Sequence, residues 1–187
     1  MDQVSKIDQS TYQIKTHPDI IKSIYETRLL YPATIIEDDV IQFNATYVTN
    51  VKKTGIYALS IMNTLSKQLF FLKKNDIGIY GFDLSDIIII DKHIGIFINH
   101  KILVPLDESY LYITQILPTV RFSDPLIYKI SKLPAKIHTN IVFYGFALFF
   151  LYLINVDNIS DIRYTKMHRF VERCMSIPIE DRTMHYL

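Results

Sequence analysis

The chain has no tryptophan, one cysteine and five glycines, the first of them Gly55. The lone Cys174 leaves no intramolecular disulfide and no cysteine-rich zinc site, and it fits a reducing compartment. The opening MDQVSKIDQSTYQIK lacks the apolar run of a secretory signal, so the sequence reads as intracellular. An excess of one charge is also missing: 20 Lys and Arg stand against 19 Asp and Glu, which removes the electrostatic case for nucleic acid or a membrane surface. The pairs Lys52-Lys53 and Lys73-Lys74 are too few for a nucleic-acid footprint and read as solvated faces. His17, His93, His100, His138, His168 and His185 show no metal-ligand spacing, and no nucleophile elbow surrounds Ser85 or Ser123.

What is present is isoleucine, 31 residues against 5 alanines, with 13 tyrosines and 11 phenylalanines that suit strand and core packing. The bias towards residues with AT-rich codons points to an AT-rich genome, such as that of a large DNA virus or of an AT-rich protist or bacterium. A length of 187 residues fits one domain, or a domain with a small lobe.

Ile20, Ile21, Ile24 and Leu29 predict a short helix after Pro18 with Asp19 as its cap, and two strands should flank Glu37-Asp38-Asp39. Leu59, Met62, Leu65, Leu69 and Leu72 recur every three or four residues, predicting an amphipathic helix between Gly55 and Asn75. Two apolar runs around Asp91-Lys92-His93 predict a hairpin. Residues 100–123 read as irregular because of Pro105 and Pro118. A helix is expected from Pro125 towards Pro134, and another after Ser160 or Asp161, holding Cys174 as a packed core thiol before a break at Pro178. The fold class is α+β, with a mixed front end and a mostly helical back end.

Residues 141–154 form an uninterrupted apolar run. As a helix it would be about 21 Å long, short of the roughly 30 Å of a bilayer's hydrocarbon core. The run is therefore expected to be a buried core helix, with no membrane span.

The order of elements over residues 56–187 resembles the protein kinase family, chiefly its helical C-lobe. The segment GFDLSDIIII resembles the catalytic loop: Asp83 and Leu84 match the family's Asp-Leu, while Gly81 and Phe82 replace His and Arg. Asp86 is the nearest metal-capable group, and Asn99-His100-Lys101 occupies the slot of the family's magnesium-binding Asp-Phe-Gly. Ser123-Asp124-Pro125 resembles Ala-Pro-Glu with Leu126 in place of the Glu, so Asp124 becomes the substitute partner of Arg182. Asn140 stands where the family has an Asp that holds the catalytic-loop backbone, and Gly145 matches the glycine that follows it. At the front, Tyr12-Gln13-Ile14-Lys15 resembles the strand carrying the nucleotide-binding Lys, with Glu26 as its ion-pair partner, yet no Gly-rich loop precedes it.

The resemblance implies a reduced N-lobe over residues 1–53 and a kinase C-lobe over 54–187. It also implies impaired catalysis, because a neutral amide at Asn99 binds a hard cation more weakly than a carboxylate. The leading expectation is a pseudokinase that acts as a binding or scaffold module for protein partners, with no cofactor. One alternative is an atypical phosphotransferase with Asp83 as base, Asp86 as metal ligand and ATP with magnesium as cofactor. Another is a structural virion component. In both viral cases the protein would reside in the infected cell or the particle.

Overall fold

The structure, a computed structural model, describes residues 3–184. In chain order the elements are β1 (Val4–Lys6), β2 (Thr11–Lys15), α1 (Pro18–Glu26), β3 (Ala33–Glu37), β4 (Val40–Asn44) and β5 (Val48–Asn50). There follow α2 (Ala58–Lys74), β6 (Ile77–Ile79), β7 (Gly81–Phe82), β8 (Ile87–Ile90), β9 (Ile94–Phe97), β10 (Leu103–Asp107) and β11 (Tyr110–Ile113). The last are β12 (Phe122–Ser123), β13 (Ala135–His138), α3 (Val142–Leu153) and α4 (Lys166–Met175). The chain is thus mixed α+β, and it forms two compact bodies.

The first body takes the chain up to Val51 together with Leu59–Asn75 and Leu84–Lys101; the second takes Lys52–Ala58, Asp76–Asp83 and the chain from Ile102 onward. α2 and the β8–β9 hairpin thus belong to the body that holds the N-terminal stretch.

In the first body an antiparallel sheet runs β1-β2-β4-β3. α1 buries Ile20, Ile21 and Ile24, and its start is capped by His17, whose Nδ1 accepts from the Asp19 N–H at 3.3 Å, so Asp19 lies inside the first turn rather than at the cap. A second sheet runs β5-β8-β9, with all four isoleucines of β8 buried, the pattern of a strand covered on both faces. α2 buries Met62, Leu65, Leu69 and Leu72 while Leu59 stays exposed. It crosses β9 at Gly95, where an added Cβ would stand 2.8 Å from Ile61.

The second body holds the sheet β13-β11-β10-β6 and the ribbon β12-β7. Residues 103–113, expected to be irregular, form two of these strands. Pro105 is tolerated because β10 changes partner there, pairing with β6 through Leu103–Pro105 and with β11 from Leu106 onward. The helix expected from Pro125 to Pro134 shrinks to one 3-10 turn, Pro125–Lys129, and Ala135–His138 instead pairs along the edge of β11. α4 starts later than predicted: Thr165 Oγ1 accepts from the His168 N–H at 3.1 Å, whereas Ser160 and Asp161 lie in a separate turn capped by Asn158. The C-terminal body is therefore less helical than the mostly helical back end expected from the sequence.

α3 is the apolar run. Its twelve residues rise about 18 Å, and none of its side chains is exposed. No helix among the described residues is long and apolar enough to cross a membrane. Phe82, Phe122, Phe146 and Phe149 pack rings beside it at 5.2 to 5.5 Å, and Phe150 meets Phe170 of α4 at 5.2 Å.

Candidate functional site

In the first body, the turn after β7 carries Asp86 towards the end of β9. Asp86 is 4 % exposed, and its Oδ1 accepts from Asn99 Nδ2 at 2.6 Å. Asn99 Oδ1 in turn accepts from the Lys101 N–H at 3.1 Å. The two positions that resemble the family's metal ligands are thus brought together, but as donor and acceptor of one hydrogen bond. A divalent cation needs several oxygens converging on one point, whereas here an N–H faces the carboxylate. These residues do not fit a magnesium ion, and among the described residues no group of three His, Cys, Asp or Glu is placed to hold a metal.

The proposed nucleotide pair does not form. Lys15 ends β2 opposite Val40, which puts it beside Asp39, and its Nζ lies 3.4 Å from Asp39 Oδ2 with both side chains open to water. Glu26 closes α1 at the surface and lines a shallow depression with Tyr25, Arg28, Leu30, Tyr31 and Ala33. The sequence missed Gln68. Its Oε1 accepts from the Phe97 N–H at 2.8 Å, and its Nε2 donates to Phe97 C=O and to Ser23 Oγ, both at 3.0 Å, binding α2 to β9 and α1. Its position on the apolar face of the α2 pattern, where a polar group must find partners once buried, was the available signal.

In the second body, Asp83 follows β7 and its Oδ1 accepts from the Arg121 N–H at 3.0 Å, tying the approach to β12. Asp124 caps the 3-10 turn through Leu126 N–H at 2.7 Å, and its other oxygen lies 2.6 Å from Arg182 Nη1. Both side chains are 2 to 3 % exposed, and neither atom has a hydrogen-bond partner elsewhere among the described residues. Arg182 Nε donates to Ser176 C=O at 2.9 Å.

Asn140 overturns its expectation. Its Nδ2 donates to Glu180 C=O at 3.1 Å and to Arg182 C=O at 3.0 Å, and so it holds the C-terminal turn, not the backbone at Phe82 or Asp83. Two carbonyls demand two donors; an amide supplies them and a carboxylate cannot. Gly145 lies where α3 touches β12: a Cβ there would stand 2.3 Å from the Phe122 carbonyl oxygen. Cys174 is buried in α4, and burial pushes its thiol up to about 12.

No family model and no curated protein matches this chain.

Proposed function

We propose that the chain is a protein-binding or scaffold module related to the C-lobe of protein kinases and without phosphoryl-transfer activity, encoded by an AT-rich genome such as that of a large DNA virus. The observation that carries this reading is the buried pair Asp124–Arg182. The resemblance calls for an acid–arginine pair at this point, and the acid has moved two residues towards the N-terminus with the pair retained. Loss of chemistry is supported by the Asp86–Asn99 hydrogen bond, which occupies the two positions where metal ligands would stand. Lys15 is engaged with Asp39, so the front end offers no matching clamp for a nucleotide.

The test is a thermal shift and a phosphate-transfer assay with ATP and magnesium. Neither stabilisation nor transfer is expected. A rise of several degrees that disappears in Asp83→Ala or Asn99→Ala would replace this reading with the phosphotransferase one.

A further inference from the structure

We propose that the second body binds a phosphoryl anion between Lys53 and Arg121, beside the ring of Tyr152. The Arg121 guanidinium carbon lies 4.8 Å from the Tyr152 ring centroid and 5.3 Å from that of Phe122, and Lys53 Nζ lies 5.8 Å from the same Tyr152 centroid. The ring is itself held in place: Phe149 stacks on it at 6.4 Å and Phe122 tilts against it at 5.9 Å. Both cations are anchored. Lys53 Nζ donates to Asn155 Oδ1, and the next residue's N–H, of Thr54, donates to Leu153 C=O at 3.1 Å. The Arg121 backbone is fixed on Asp83 while its guanidinium remains over the rings.

Lys53 and Arg121 are both exposed, and among the described residues neither has a carboxylate within ion-pair distance. Two like charges gathered on one aromatic ring repel each other, and an anion that touches both removes that cost. A forked guanidinium together with a compact ammonium suits a doubly charged phosphomonoester, which offers three oxygens to two donors of different shape. The site stands on the geometry of this cluster and not on the kinase resemblance, so the two readings fail separately.

The full chain is titrated with phenyl phosphate at constant ionic strength and followed by phosphorus NMR. Saturable binding is expected, weakened about tenfold or more in Lys53→Gln and in Arg121→Gln, as loss of a charge-assisted contact implies, with unchanged melting temperature. Lys136→Gln, which removes a surface lysine paired with Asp107 elsewhere, should bind as the wild type does. Inorganic phosphate should compete with phenyl phosphate. Absence of saturation, equal loss in Lys136→Gln, retention in both cluster variants, or failure of inorganic phosphate to compete would each overturn the assignment. If Arg121→Gln lowers the melting temperature, the exposed Lys53→Gln variant decides the matter alone.

Discussion

Asp124 and Arg182 are opposite charges paired in a buried setting, so removing one leaves the other's charge uncompensated. Asp124→Ala should cost about 3–5 kcal/mol, whereas Asp124→Leu with Arg182→Met should recover much of the loss, because a buried ion pair carries a large desolvation cost that an apolar pair avoids. Urea denaturation of the three proteins checks this. Asn140→Asp restores the residue type of the kinase pattern and should nonetheless destabilise, since a carboxylate would face the carbonyls of Glu180 and Arg182. Each broken bond there leaves a cost of about 1–3 kcal/mol. Cys174 gives a pH prediction. Its folded-state value of about 12 lies above the ordinary thiol value of 9.0, so the neutral thiol's contribution is complete below pH 9 and falls as pH rises from 9 towards 12. The slope is about 1.4 kcal/mol per pH unit, because the unfolded chain ionises first. Native Cys174 should stay unreactive to a thiol reagent at pH 8 and react fully in denaturant.

Among the elements, α3 and α2 show how one contact decides where a helix lies. Gly→Ala in a helix interior ordinarily stabilises by about 0.5–1 kcal/mol, but Gly145→Ala would drive a methyl to within 2.3 Å of the Phe122 carbonyl oxygen. The sign should reverse, to a loss of about 1–3 kcal/mol by overpacking, seen as a lower melting temperature. For α2 the comparable contact is polar: Gln68→Leu keeps the volume but removes the amide that bonds the N–H and C=O of Phe97. Hydrogen exchange at the Phe97 amide should then accelerate more than at neighbouring β8 amides. The leucine and methionine spacing made α2 legible, and the β-branched and aromatic residues flanking Glu37-Asp38-Asp39 did the same for β3 and β4. Residues 103–113 form β10 and β11 despite Pro105. A proline breaks a strand only where its missing N–H is needed, and the change of partner from β6 to β11 removes that need.

The whole molecule is divided in space more intricately than along the chain. The first body is assembled from three separate stretches, with β5 pairing to β8 and Gln68 reaching Ser23 across long loops of sequence. A fragment of residues 54–187 would lose β5 and the Ser23 contact, and should melt without the cooperative transition of the full chain; calorimetry of the two decides it. The sequence alone determined the mixed α+β composition, the positions of α1, α2, β4 and the β8–β9 hairpin, and the length of an apolar helix too short for a bilayer. Those follow from local periodicity and from hydrophobic length, which every window of residues carries. Tertiary structure alone decided that Asn99 faces Asp86 with an N–H, that Lys15 meets Asp39 and not Glu26, that Asn140 serves the C-terminal turn, and that Lys53 and Arg121 share one ring. Each of these depends on which distant backbone a side chain meets, and pairing register and packing set that after the local pattern has been fixed.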